Sequence, residues 1–493
     1  MKSKKALGRA AFLMGVGLVA APLIAQQAAP TPSPTPTGTP QTVQSVPQSV
    51  PLPQLSQGQA SQLLTLLSEA RYAHGLVHDA TPVTDPASNE ELVRAALDYA
   101  RAVHGGRLAP EDFQSDWALR PAPYDPVPAF ADAVKRNRLK QWMDALPPPY
   151  AGYDGLKAGL DTYRRIEDAG GWKQLAAGPD IAPGATGARV LALRQRLAVE
   201  DSQVAATGDS YNAELTEAVK RAQRRYGLNP TGTVAAQTRT ALNVPAGQRV
   251  RQIMANMERW RWLPQELPRN RIQVNIAAAV LTVFEGDQPI TSMRAVTGAP
   301  GGRETPMLQS KIHSVVLNPP WNVPTGIANK ELFPKGPAYL ARNGFKVIGS
   351  GAGRRLQQQA GPQSALGRYK FDFENPFAVY LHDTPSHATF SRFDRLASHG
   401  CVRLEKPAAL ARLLLRNDPK WTPEAIQSTI DGGKTTRAQL RPEDEVAVYL
   451  LYWSAYASSN GINFRNDPYS WDKTLATRIE RRSAIQAGAV KGR

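Results

Sequence analysis

Cys401 is the only cysteine among 493 residues, and the stretch 380–406 around it also holds His382, His387 and His399. A thiol attacks well only as its thiolate, so a working cysteine needs a base or a cationic neighbour. His382 closes the apolar run Ala378-Val379-Tyr380-Leu381, which reads as a strand. A strand end mounts a base rigidly. His399 lies two residues before the sulfur in Ser398-His399-Gly400-Cys401, where a tight turn suits it to shaping the loop. Gly400 permits backbone geometry that a Cβ resists. The N–H groups of Gly400 and Cys401 could then form an oxyanion hole, with the Tyr380 hydroxyl as a further donor. Arg403 could grip a carboxylate through two hydrogen bonds, or be a surface cation. The plainer alternative makes Cys401 a small buried hydrophobe among ordinary polar histidines.

The elements that must position these groups are strands. Residues 271–276, 280–284, 291–296 and 311–317 alternate or run apolar, and Gly286-Asp287 is a turn between two of them. The proline-rich run 319–324 cannot pair as a central strand, so it is a loop or rim. Trp321 within it either lines a groove or plugs the core. Residues 325–366 interrupt the strands with an irregular insertion, and such insertions are often functional. Strands resume at 369–373 and 378–382, a helix starts at Pro407, and a last strand at 446–452 leads to a basic tail, 481–493.

The first half of the chain reads as helical. Leu63, Leu64, Leu66 and Leu67, then Leu92, Ala95, Ala96 and Tyr99, fall on helix faces within a module spanning 55–180. Its histidines, His74, His78 and His104, have no ligand or catalytic company and are expected to be structural or solvated. Residues 181–246 form a smaller three-helix unit, punctuated by Gly227 and by Thr231-Gly232. Residues 247–270 connect it to the strands.

Lys2, Lys4, Lys5 and Arg9 precede an apolar run that ends near Ala25, the pattern of a secretory leader (1–25); an uncleaved anchor is the alternative. Residues 26–54, rich in Pro, Thr and Gln and poor in large apolar residues, read as a disordered tether. Losing the leader takes the formal charge from +17 to +13. For an exported protein that balance favours an acidic polymer or a membrane surface over nucleic acid. One cysteine allows no intrachain disulfide, and no Cys/His cluster has zinc spacing, so neither a metal nor a cofactor is called for.

His382, fifteen intervening residues, Ser398-His399-Gly400-Cys401 and then Arg403 together resemble the signature of the YkuD-type L,D-transpeptidase catalytic domain. The likeness extends outward. Tyr163-Arg164 and Gly170-Gly171-Trp172 resemble the helical scaffold of the large YcbB-type enzymes. Val190, Leu193, Ala218-Val219 and Gln223 resemble a small peptidoglycan-binding domain, and 256–262 resembles the segment leading into the catalytic domain. The resemblance implies a multidomain α+β protein: helical scaffold, three-helix domain and a β-rich catalytic domain (271–480) carrying a lid at 325–366. It also implies acyl transfer through a thioester on Cys401 with His382 as base, in the periplasm or cell wall. The donor would be a peptidoglycan stem peptide and the acceptor a second stem, giving a 3→3 cross-link, with wall-synthesis enzymes as candidate partners and carbapenems as inhibitors. In this family a main-chain carbonyl often orients the base, so Asp383 is not assigned to a triad. Water or a protein amine could replace the acceptor stem, and a non-catalytic wall-binding protein is the reading from another class.

Overall fold

The computed structural model describes residues 52–76 and 88–491. The leader, most of the tether, His78 and the last two residues lie outside them.

Five helices come first: α1 (Gln57–Ala73), α2 (Asn89–Gly105), α3 (Val127–Lys135), α4 (Leu139–Asp144) and α5 (Ala151–Asp168). Ser56 and Gln59 cap α1 reciprocally, and the Ser88 side chain caps α2, each cap worth ~1 kcal/mol. Leu63 and Leu67 of α1 pack with Leu92, Ala96 and Tyr99 of α2 and with Phe130 and Trp142 in a core of their own. Then α6 (Ala188–Ala198), α7 (Ala213–Arg225) and α8 (Ala236–Leu242) make a three-helix unit. The buried Gln223 amide donates to Thr233 O (2.9 Å) and Thr238 Oγ1 (3.1 Å) and accepts from Gly232 N (2.9 Å), which pins the turn after α7.

The stretch between the three-helix unit and the strands holds a helix, α9 (Ala246–Trp260), and its polar residues are buried. Asn256 bonds Ser454 Oγ at 2.8 Å, Arg259 pairs with Asp472 at 2.5 Å, and Glu258 pairs with Arg261 at 2.8 Å and Arg107 at 3.4 Å. Charges this deep persist only when paired.

The β-rich part opens with β1 (Asn270–Asn275), β2 (Val280–Glu285), β3 (Gln288–Gly298) and β4 (Leu308–Leu317). The insertion follows: β5 (Trp321–Val323), the short turn α10 (Thr325–Ile327), a π-helical turn Ala328–Leu332, α11 (Pro337–Arg342), β6 (Phe345–Ile348) and β7 (Arg355–Gln358). Its three strands form a separate sheet in the order β5-β7-β6, over a small core of Val323, Ala328, Leu332, Leu340 and Leu356. Flanked by prolines, β5 pairs only at the edge. The main sheet resumes with β8 (Tyr369–Phe373), β9 (Leu381–His382), β10 (Leu396–Ser398) and β11 (Val402–Leu404). After α12 (Pro407–Leu415) and α13 (Pro423–Asp431) come β12 (Thr436–Gln439) and β13 (Val446–Leu451). The ladder runs β3-β11-β9-β8-β4-β13-β1-β2, and β2 returns to β3, so pairing closes on itself and leaves few free edges.

Two expectations fail after β13. That strand is not the last, since the hairpin β14 (Ala455–Ser458) and β15 (Gly461–Phe464) follows it and packs on α5. The approach is close: a Cβ on Gly155 would lie 2.4 Å from Ala457 Cβ, and one on Gly159 2.3 Å from Ile462 Cγ1. Nor do residues 481–491 form a tail, because α14 (Trp471–Lys491) runs through them. Arg481 and Arg482 on that helix both reach the buried Asp112 carboxylate at 2.7 Å, so the basic cluster serves a docking contact with the N-terminal module. Leu156 and Tyr163 of α5, Leu193 and Val219 of the three-helix unit, Ile253 of α9 and Ile272 of β1 belong to one continuous core. The parts are therefore welded rather than strung together. Among the described residues no helix is long and apolar enough to cross a membrane.

Candidate active site

Register brings the candidate residues together. β9 lies between β8 and β11, with Val402 opposite Leu381, Arg403 opposite His382, and Lys370 of β8 opposite His382 on the other side. Side chains alternate along a strand. Leu381, Val402, Leu404 and Phe371 fill the core, and Lys370, Tyr380, His382, Cys401 and Arg403 share the other face. Fifteen residues separate His382 from the Ser-His-Gly-Cys run because the chain must leave β9 and return beside it in parallel.

The His382 ring is buried, and its Nδ1 lies 2.5 Å from the main-chain oxygen of Asp383. A carbonyl only accepts, so Nδ1 carries the proton and Nε2 is left basic. The Asp383 carboxylate is engaged elsewhere, accepting from Arg368 N and Thr384 N at 2.7 Å each. Burial holds the imidazole down at about 3; Arg403 and Lys370 push the same way, and the Asp383 carbonyl opposes them.

The loop before Cys401 is fixed at several points. Val402 N donates to Tyr380 O at 3.1 Å, and Ser398 Oγ donates to Cys401 O at 2.5 Å. Gly400 sits at φ +112°, a conformation L side chains rarely adopt. Its N–H, expected to face an oxyanion, instead donates to Ser398 Oγ at 3.2 Å, because the turn folds the serine hydroxyl back under it. Its carbonyl accepts from Thr305 Oγ1 at 2.7 Å, and that hydroxyl oxygen accepts from Gly298 N at 2.8 Å. Tyr469 donates to Gly298 O at 2.5 Å, so the segment ahead of α14 supports the loop from behind.

Cys401 is half-buried. Burial raises its thiol above the ordinary value, while hydrogen bonds from Tyr380 and the charges of Lys370 and Arg403 pull the other way. Burial also drives the Tyr380 phenol well up, which keeps it protonated and able to donate to the sulfur. The same hydroxyl accepts from Trp321, and Lys370 Nζ lies 4.4 Å from the Tyr380 ring centre. Trp321 thus packs on the insertion's core and reaches the site with its polar edge. Arg403 Nε is buried without a hydrogen-bond partner.

The other histidines separate cleanly. His399 Nε2 lies 2.8 Å from Glu331 Oε1 in the insertion. His387 is exposed against Phe390. His74 is buried on the Tyr153 hydroxyl at 2.9 Å, and His104 stacks on Tyr124. Lys370, Thr305 and Glu331 escaped sequence reading. Only Lys370 carries a signal, as a polar position in the alternation of residues 369–373 that places it on the face opposite Phe371.

Residues 269–423 match the L,D-transpeptidase catalytic domain, 54–160 a scaffold domain, and 186–242 the "Putative peptidoglycan binding domain". The chain therefore carries an L,D-transpeptidase catalytic domain together with a peptidoglycan-binding domain. A Haemophilus influenzae protein named "Putative L,D-transpeptidase" is 32% identical over 244 residues, 45% of this chain and 48% of that protein, so the match spans about half of the relative. An L,D-transpeptidase structure from Stackebrandtia nassauensis is 14% identical, covers 57% of this chain and 95% of that one, and has a TM-score of 0.23. One from Xylanimonas cellulosilytica is 18% identical, with coverages of 56% and 98% and a TM-score of 0.19.

Proposed function

We propose that this protein is a cysteine-dependent L,D-transpeptidase that joins peptidoglycan stems by 3→3 cross-links at the cell wall. The observation that carries this reading is the shared face of Cys401, His382, Tyr380 and Arg403 across β9 and β11. The thiol proton passes to His382 Nε2 as Sγ attacks the carbonyl of the donor's third residue. The Cys401 N–H and the Tyr380 hydroxyl face the oxyanion in place of the committed Gly400 N–H. Collapse forms the thioester and expels D-alanine, whose amine takes the proton from His382. An acceptor stem amine then attacks the thioester, gives its proton to His382 and releases the thiolate. Arg403, with an unsatisfied Nε, holds a substrate carboxylate. The same nucleophile opens a carbapenem ring to give a Cys401 adduct, and the peptidoglycan-binding domain keeps the enzyme on its polymer.

Mass spectrometry of muropeptides incubated with the full chain tests this. Cross-linked dimers lacking one D-alanine are expected, and Cys401→Ala should yield none. Tripeptides alone would make water the acceptor. Undiminished products from Cys401→Ala would overturn the mechanism.

A further inference from the structure

Three charged residues beside the site belong to no step above: Lys370 and Asp372 on β8, and Arg437 on β12. Lys370 faces the site from the strand opposite the one that bears Cys401, in register with His382. Its ammonium lies over the Tyr380 ring at 4.4 Å, within cation–π range. Asp372 Oδ1 holds it there at 2.6 Å. That carboxylate is shared, because its other oxygen pairs with Arg437 at 2.9 Å, and Arg437 in turn reaches Ser314 Oγ. One carboxylate between two cations leaves a net positive charge. The Lys370 and Asp372 side chains are only 23% and 13% exposed, so water screens that charge weakly.

We propose that Lys370 is a positioning residue of the cysteine site: it fixes the Tyr380 ring beside Cys401 and supplies standing positive charge that favours the ionised thiol. This rests on the reading of Cys401 as the nucleophile. The groups around the sulfur are Tyr380, just ahead of β9, and His382 on it, Lys370 on β8 with its partner Asp372, and Arg403 on β11. Only Lys370 and Arg403 among them are permanent cations, and Arg403 is reserved for substrate. A cation over the Tyr380 ring also makes its hydroxyl a better donor to the sulfur. Lys370 therefore acts twice on one atom, through space and through Tyr380.

The lone thiol makes the test direct. The rate of alkylation by iodoacetamide, followed against pH on the full chain, gives the midpoint of thiolate formation. Lys370→Gln should raise that midpoint by about one pH unit, and Lys370→Arg should hold it near the parent value. An unchanged midpoint in folded Lys370→Gln overturns the proposal. If the glutamine variant fails to fold, Lys370→Met, which keeps the aliphatic stem, takes its place; failure of both assigns Lys370 a structural role and overturns the proposal as well. Alkylation needs no turnover, so this outcome is independent of whether muropeptides are cross-linked.

Discussion

The imidazole of His382 is oriented by the backbone of Asp383, whose carbonyl oxygen lies 2.5 Å from Nδ1, and not by the Asp383 carboxylate. A main-chain acceptor cannot be protonated near neutral pH, so the tautomer that exposes Nε2 is fixed.

Asp383→Asn should therefore keep turnover within a few-fold of the parent, because the carbonyl stays and the amide oxygen can still accept from Arg368 N or Thr384 N. His382→Ala should lose about 10²–10⁴-fold in kcat. His387→Ala, exposed and packed only on Phe390 among the described rings, should lose little. Steady-state kinetics on soluble stems separates the three, and a collapse of Asp383→Asn to the His382→Ala level would restore a carboxylate triad.

Acidification should destabilise the fold through two buried histidines. His74 and His382 are each held at about 3, the first by burial and then by Arg261 and Lys157, the second by burial and then by Arg403. An unfolded histidine titrates near 6.5, so between that pH and about 3 the unfolded chain binds more protons and stability falls as pH falls. At pH 5 each should cost roughly 2 kcal/mol relative to pH 7.5. Denaturant midpoints at the two pH values check this, and His74→Gln, which takes no proton, should reduce the difference.

Of the strands around the site, β8 and β9 were legible because residues 369–373 alternate and His382 closes an apolar run, whereas β10 and β11, three residues each, are too short to show a period. The Ser-His-Gly-Cys run was legible by its residue types. Long-range partners were not. Nothing in the spacing of Thr305 or Lys370 shows that β3, β8 and β11 bring them to Cys401, since strand order is set by packing of the whole sheet. The same holds for α14: its arginines look like a solvated tail until Asp112, far away in the sequence, is placed beneath them. The burial of 247–270 was not legible either, because the ion pairs that make this polar stretch part of the core have partners far away in the sequence.

Deletion of residues 186–242 should destabilise the catalytic domain and not merely uncouple it from the wall. Glu200 within that stretch accepts from the buried Tyr163 hydroxyl at 2.5 Å, Tyr226 stacks on Phe464, and the Arg225 carbonyl accepts from Arg465. Removal leaves Tyr163 without its acceptor and the hairpin β14–β15 uncovered, with an apolar face open to water. The deletion should melt well below the parent and lose turnover on soluble stems along with binding to sacculi. A deletion with the parent's melting temperature would show the unit to be separable.

The insertion is held over the site by two polar contacts, Trp321 to the Tyr380 hydroxyl and Glu331 to His399. Both partners flank Cys401, while the insertion keeps a small core of its own. The Glu331–His399 pair is partly exposed, so cutting it should change stability by no more than about 1 kcal/mol. Access is another matter, because the pair ties the π-helical turn to the residue two before the sulfur. Glu331→Ala should therefore raise the alkylation rate of Cys401 by a bulky maleimide several-fold while leaving that by iodoacetamide nearly unchanged, since a small reagent does not need the insertion to lift. Stopped-flow labelling at one pH gives the ratio of the two rates. A ratio equal to the parent's would show that the insertion does not guard the thiol, and equal acceleration of both reagents would place the effect on the sulfur itself.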